Sequence, residues 1–115
     1  MTQYQESARK VASRLKDLQA GIPGTMKAFH DLHTAALADG VLSEKTKELI
    51  ALALGVAARC EACVAFHAQA LAKLGAVRAE VEETLGVAIL MGGGPSVMWA
   101  TEALTAFDEF HGQAS

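Results

Sequence analysis

Two cysteines and a histidine lie close together in the segment Cys60-Glu-Ala-Cys63-Val-Ala-Phe-His67. On a helix, which turns by about 100° per residue, these three side chains fall within a stripe about 60° wide. Cys63 precedes His67 by one turn, so the imidazole can take the thiol proton and leave a nucleophilic thiolate. Two cysteines at this spacing can also close a disulfide, as redox dithiols do. The pattern predicts thiol redox chemistry, with Cys63 as the sulfur nearest the base.

The position of this helix in the fold decides how reactive the thiols are. Both cysteines are expected in its first turn, where backbone N–H groups without helical partners favour a thiolate. The same stripe continues through Leu71 and Leu74, which should face the core. The thiols are therefore predicted to lie at the buried edge of the helix, behind a narrow opening.

Glu48 is the last charged residue before a run of ten uncharged residues. On a helical wheel it aligns with Ala51, Leu52 and Gly55, a face of small residues against which another helix can pack closely. A carboxylate on that face could hold His67 in one tautomer and share its proton, as the third member of a catalytic triad does. This role requires that the helix of Glu48 contacts the helix that carries Cys63 and His67.

Composition indicates which elements must position these groups. Hydrophobic residues make up 51% of the 115 residues, but 23 residues are alanine and only 6 are aromatic. Alanine is the best helix former and a poor strand former, so we predict an all-α bundle with close helix packing. The length predicts a single domain covering residues 1–115.

Apolar periodicity and end signals predict five or six helices, at about residues 3–19, 23–38, 44–58, 60–74, 79–91 and 95–110. Ser43 is a predicted N-cap, and Gly75 is a predicted C-cap in the left-handed conformation. The segment Gly92-Gly-Gly-Pro95 is interpreted as a tight turn between the last two helices. It has no lysine or preceding strand of the kind that a phosphate-binding loop needs.

Apolar side chains on the first three helices are expected to point inward. They are Tyr4, Ala8, Val11, Leu15 and Leu18 on the first helix, Met26, Phe29, Leu32 and Leu37 on the second, and most of the third, which looks apolar on every side. Between positions 49 and 76 only three residues are charged, which is few for a surface. A chain of this length cannot enclose two such helices, so we expect a homo-oligomer with the central helices partly buried between subunits.

The charge pattern excludes several classes of partner. The net charge is −3, and no basic run is longer than the pair Arg9-Lys10, so we expect neither nucleic-acid nor membrane binding. The polar N-terminus does not resemble a signal peptide. We therefore expect a cytoplasmic protein, in which two neighbouring cysteines indicate redox or metal chemistry more than a structural disulfide.

Three segments together resemble a known family: Lys45-Thr-Lys-Glu48-Leu-Ile-Ala-Leu, the Cys60–Cys63–His67 motif, and Met91-Gly-Gly-Gly-Pro95. They are similar to the carboxymuconolactone decarboxylase superfamily and, more narrowly, to its AhpD-like alkylhydroperoxidase branch. The spacing Glu–x11–Cys–x2–Cys–x3–His is matched in full, and the similarity covers roughly residues 25–110.

The resemblance implies an all-α fold that forms trimers or hexamers and a thiol peroxidase that needs no bound cofactor. Cys63 would attack the hydroperoxide, Cys60 would then form the disulfide, and His67 and Glu48 would relay the proton. A dithiol donor, lipoylated or of the thioredoxin type, would supply the electrons. One position departs from the AhpD pattern, because Ala62 stands where that peroxidase has a histidine.

Other interpretations of the same residues remain open. The dithiol could serve a disulfide reductase, or Cys60, Cys63 and His67 could bind zinc with His30 or His33 as the fourth ligand. A non-enzymatic module that responds to redox state or zinc, and cysteines that are ordinary core residues, are further alternatives. His30 and His33 are otherwise a surface or interface pair. The simplest role for Met91, Met98 and Trp99 is in the core or an interface, with the mouth of a thiol pocket as the alternative.

Overall fold

Six α-helices build the chain, in a computed structural model that describes residues 1–114 and the side chains of residues 1–112. No strand occurs within that part. The helices are α1 (Gln3–Gly21), α2 (Pro23–Leu37), α3 (Glu44–Ala57), α4 (Glu61–Lys73), α5 (Arg78–Gly92) and α6 (Gly94–Ala114). The all-α prediction is confirmed, and the predicted helix bounds are correct to within two residues except at the end of α6. No helix of the described chain is long and apolar enough to cross a bilayer.

Local signals account for most helix ends. The Ser43 side chain accepts a hydrogen bond from the backbone N–H of Thr46 and so caps α3. Gly75 ends α4 with a φ of 77°, and Gly93 joins α5 to α6 with a φ of 69°. Pro95 lies in the first turn of α6, where its missing N–H costs no helical hydrogen bond. An interhelical turn is therefore present as predicted, but only Gly93 of residues 92–95 lies between the two helices.

The core lies where α4 packs against α3 and α6, with α5 closing the other side of α3 and α6. Alanine provides half of the buried apolar residues of the described chain, and this allows close approach of the helix backbones. The larger buried side chains include Leu52, Val64, Leu71, Val81 and Phe107. Trp99 packs against this core while partly exposed, whereas Met91 and Met98 are exposed.

Several apolar residues expected to face inward are exposed in the single chain. They are Leu15 and Leu18 on α1, Phe29 and Leu32 on α2, Ile50 and Leu54 on α3, and Leu74 at the end of α4. Of α2 no residue is buried, because this helix touches only α1 and a small part of α3. The helical periodicity identified the apolar faces of these helices correctly. It could not show whether other residues of the same chain bury those faces.

Tyr4 fixes the start of α1 to α6. Its phenol O–H donates a hydrogen bond to Glu102, and its backbone N–H donates to Glu109 Oε1 at 2.8 Å. The ring is buried. Burial, the hydrogen bond to Glu102 and the nearby negative charges raise the pKa of the Tyr4 phenol well above its usual value of 10.0.

We predict that Tyr4→Phe lowers the free energy of unfolding by about 1–2 kcal/mol, because Glu102 loses its hydrogen-bond donor. The raised pKa means that only the unfolded chain releases this proton just above pH 10.0, so wild-type stability should fall as pH rises past that value. The Tyr4→Phe variant should not show this loss of stability at high pH. Because Tyr4 is the single tyrosine, tyrosinate absorbance reports it directly. Ionisation near the usual value in the folded protein would contradict the prediction.

Candidate active site

Glu48 is the one charged residue that is buried among those whose side chains the structure describes, with 5% of its surface exposed. It lies in the second turn of α3, on the same side as the buried residues Leu52 and Gly55. A buried carboxylate is costly unless it has a polar partner. Its position therefore requires a partner from the helix that packs against this side of α3.

That partner is His67 of α4. The His67 Nδ1 and Glu48 Oε1 atoms are 2.5 Å apart, and their side chains are 20% and 6% exposed. A short hydrogen bond between an imidazole and a carboxylate in a poorly hydrated place is strong and directional. Because Nδ1 is engaged by Glu48, Nε2 remains for another proton partner. Helices α3 and α4 therefore meet at this pair, which is the contact that the role predicted for Glu48 requires.

The two cysteines form a disulfide with a Cα–Cα distance of 5.2 Å. Helix α4 begins at Glu61, so Cys60 is its N-cap, and Cys60 Sγ accepts a hydrogen bond from the Cys63 N–H at 3.1 Å. The Cys60 N–H in turn donates to the Gly55 carbonyl at 3.0 Å. Arg59, with a φ of 56°, reverses the chain between α3 and α4. The motif helix thus starts one residue later than predicted.

This boundary places the two sulfurs in different environments. The amide at the start of α4 stabilises negative charge on Cys60. Cys63 precedes His67 by four residues on α4, so the two side chains share one face of the helix. Cys60 therefore accepts from an N–H donor, and Cys63 lies one helical turn before His67. Both residues are partly buried.

Gly55 allows α3 and α4 to approach closely at the site. A Cβ atom built on Gly55 would lie 3.2 Å from Cys63 Cβ, closer than ordinary van der Waals contact. Cys63 cannot easily move away, because its sulfur is bonded to Cys60. The small-residue face predicted from the sequence is thus the surface against which the motif packs.

We predict that Gly55→Ala lowers the free energy of unfolding by about 0.5–2 kcal/mol, since overpacking exceeds the gain in helix propensity. Gly86→Ala is the matched control, because a Cβ there meets no atom within 4 Å in the middle of α5. It should stabilise the protein by up to about 1 kcal/mol. Denaturant unfolding of both variants measures the difference, and equal stabilisation by both would contradict the prediction.

His33 of α2 lies near the Glu48–His67 pair. Its ring and that of His67 are nearly parallel, with planes within 12° and centroids 6.5 Å apart. From the sequence, His33 was linked to this motif only as one of two candidates for a fourth zinc ligand, because its contact with His67 depends on how α2 is placed. His30 is exposed on the same helix, and His111 stacks on Phe107, far along the chain from the motif. Among the described residues no cluster of three or more histidine, cysteine, aspartate or glutamate side chains could hold a metal.

A cavity of about 230 Å³ opens beside the first turn of α4. Trp99 and Met98 line it, whereas Met91 and the two cysteines do not. Its other lining residues are Gln3, Tyr4, Glu61 and Glu102. Glu61 directly follows Cys60, so this cavity adjoins the N-terminal end of the motif.

Comparison with known proteins places this geometry in a family. The profile of the carboxymuconolactone decarboxylase family matches residues 23–106, which include Glu48, both cysteines and His67. The chain belongs to the carboxymuconolactone decarboxylase family. The resemblance drawn from the motifs is thereby confirmed, and the family lies in the AhpD-like superfamily.

Relatives of the family support this assignment over most of the chain. An apo crystal structure of a carboxymuconolactone decarboxylase family protein from Legionella pneumophila is 48% identical, with a TM-score of 0.92 over 94% of this chain and 96% of that one. An uncharacterized protein from Cupriavidus necator is 44% identical over 75% of this chain and 76% of its own. Uncharacterized protein 4 in the cox locus of Paracoccus denitrificans is 34% identical over 74% of this chain and 77% of its own.

Proposed function

We propose that the protein is a thiol-dependent peroxidase that reduces alkyl hydroperoxides or hydrogen peroxide through Cys60 and Cys63. The observation that carries the proposal is the buried Glu48–His67 pair, 2.5 Å apart, beside the helix that holds both sulfurs. A purely structural disulfide needs no such pair. Membership of a family that includes both decarboxylases and AhpD peroxidases supports it.

The chemistry assigned to each residue follows from its surroundings. With the disulfide reduced, His67 takes the proton of Cys63, and Glu48 stabilises the imidazolium. The Cys63 thiolate attacks the peroxide, so that an S–O bond forms, the O–O bond breaks, and the departing oxygen leaves as an alcohol or water. The Cys60 thiol then condenses with the Cys63 sulfenic acid, which releases water and forms the disulfide.

The cycle closes when a dithiol returns two electrons. We propose a lipoylated or thioredoxin-type donor whose thiolate attacks one sulfur of the disulfide and expels the other. Either leaving sulfur is stabilised, Cys60 by the N–H at the start of α4 and Cys63 by His67. No bound cofactor is required, because sulfur carries the electrons. The reducing cytoplasm is the proposed location, since such donors work there.

A second function is favoured by one observation, the N-cap position of Cys60. An N-terminal cysteine of a CxxC motif that receives an amide N–H is activated as a nucleophile. The same dithiol could therefore reduce a protein or small-molecule disulfide, with Cys60 as the attacking sulfur. The two functions differ in their oxidant and in which sulfur reacts first.

The test is a titration of thiols in metal-free, pre-reduced protein before and after one equivalent of an organic hydroperoxide. Rapid loss of both thiols, slowed by His67→Ala, is the expected result. If both thiols survive the peroxide but a small disulfide oxidises them readily, the disulfide-reductase function replaces the peroxidase. If neither reagent reacts, both enzymatic functions fail, and stoichiometric zinc in the purified protein would then identify the zinc-responsive module.

We also propose that the protein works as a homo-oligomer, a trimer or hexamer, in which a second copy covers α2. The chain exposes 6935 Å², whereas a compact monomer of 12.0 kDa exposes about 6000 Å². The excess is close to the roughly 800 Å² that each partner contributes to an ordinary stable interface. Phe29 and Leu32, each 62% exposed, lie on the helix that buries nothing in its own chain.

We expect wild-type protein to sediment as a trimer or hexamer and the double variant Phe29→Glu, Leu32→Glu to sediment as a smaller species, because charges oppose burial of this face. Thr34→Glu adds a charge to the opposite side of α2 and should leave the assembly unchanged. Sedimentation velocity measures all three. A monomeric wild type at micromolar concentration would overturn the assembly proposal.

A further inference from the structure

His33 lies beside His67 but has no role in the proposed proton transfer from Cys63 to His67. Helix α2 buries no residue in its own chain, yet it sets the His33 ring parallel to that of His67 at a centroid distance of 6.5 Å. His33 itself is exposed, whereas His67 is mostly enclosed. A second proton carrier thus stands directly beside the first.

Cleavage of a peroxide by a thiol involves two proton transfers. The thiol must lose one before attack, and the departing alkoxide must gain one as the O–O bond breaks. His67 has a single nitrogen for both tasks, because Glu48 holds its Nδ1. Ala62, between the cysteines, has no proton to give, and Glu61 lies in the first turn of α4 on the exposed surface. The ring of His33 is nearly parallel to that of His67, with centroids 6.5 Å apart.

We propose that His33 is the proton donor for the departing oxygen, an inference that rests on the proposed peroxidase function. His67 accepts the Cys63 proton while the thiolate attacks, and the His33 imidazole gives a proton to the departing alkoxide. The proton on His67 then passes to His33 and restores both rings. The net change is one thiol and one hydroperoxide converted to one sulfenic acid and one alcohol, with no further reactant.

The test compares two oxidants that differ in the leaving group. tert-Butyl hydroperoxide expels a strongly basic alkoxide that needs a proton, whereas peracetic acid expels acetate, which needs none. In single-turnover oxidation of pre-reduced protein, His33→Ala should slow tert-butyl hydroperoxide by about 10²-fold and leave peracetic acid nearly unchanged. His30→Ala, three residues earlier on the same helix, is the matched control and should change neither rate.

A third variant separates proton transfer from ring packing. His33→Phe keeps a flat ring against His67 but carries no proton, so it should behave like His33→Ala. Wild-type rates in His33→Phe, or equal slowing of both oxidants in His33→Ala, would show a structural role and overturn this inference alone. A wild-type protein that reacts with neither oxidant faster than a simple peptide thiol would overturn the peroxidase proposal and this inference with it.

Discussion

Cys63→Ser is expected to abolish peroxide consumption, while Cys60→Ser retains the first chemical step. A serine hydroxyl in place of Cys63 cannot accept the peroxide oxygen, so the rate should fall by at least about 10³-fold, as when an activated nucleophile is removed. In Cys60→Ser the Cys63–His67–Glu48 arrangement stays, and one equivalent of peroxide should convert Cys63 to a sulfenic acid. That product has no partner thiol in its own subunit and should accumulate.

Two measurements distinguish the variants. Peroxide remaining in solution reports the first step, and labelling with dimedone, followed by mass spectrometry, detects a sulfenic acid on Cys63. The two substitutions are matched, because each replaces one thiol by a hydroxyl and prevents the disulfide. A general effect of losing the disulfide would therefore appear in both variants. The contrast between them reports the nucleophile.

The opposite result for the two cysteine variants would assign the nucleophile to Cys60. Cys60 receives the amide N–H at the start of α4, and that environment also activates a thiol. If Cys60→Ser lost the reaction with peroxide and Cys63→Ser kept it, the N-cap cysteine would be the nucleophile. His67 would then serve the resolving sulfur, and the assignment implied by the family resemblance would be wrong.

Sequence alone predicted the helices of this fold well because their ends depend on local chemistry. A serine N-cap, glycines with positive φ and a proline in a first turn act within a few residues of themselves. The pairing of Glu48 with His67 was suggested for a similar reason, since the motif spacing links Glu48 to the helical stripe that carries Cys63 and His67. The structure added the contact between α3 and α4, through which Glu48 and His67 form a hydrogen bond of 2.5 Å.

The features that the sequence did not predict all depend on how helices are placed. The apolar pattern of α2 is a valid amphipathic signal, but Phe29 and Leu32 face away from their own core. The stacking of His33 on His67 and the link from Tyr4 to Glu102 join residues far apart in the chain, 34 and 98 positions respectively. No local pattern encodes such pairs, because they arise only when the bundle assembles.

Glu48→Gln should give the second large loss of peroxide reduction. It tests whether the negative charge of Glu48 is needed beside His67. The amide is nearly isosteric with the carboxylate and can still contact the His67 Nδ1, so the helices should keep their spacing. It carries no negative charge, however, and so cannot stabilise the imidazolium that forms when His67 takes the Cys63 proton. A neutral replacement of the carboxylate in a catalytic triad lowers kcat by about 10⁴-fold, and we expect a loss of about 10²–10⁴-fold in peroxide reduction.

The measurement must separate this charge effect from damage to the fold. Glu44→Gln changes a carboxylate in the first turn of the same helix and should leave peroxide reduction unchanged. Single-turnover rates of both variants give the catalytic effect, and iodoacetamide alkylation of the reduced protein reports the thiolate population. Slow alkylation and slow peroxide reduction in Glu48→Gln, with wild-type unfolding, would assign Glu48 to the relay. Unchanged rates would reduce Glu48 to a buried structural partner of His67 and remove the observation on which the peroxidase proposal rests.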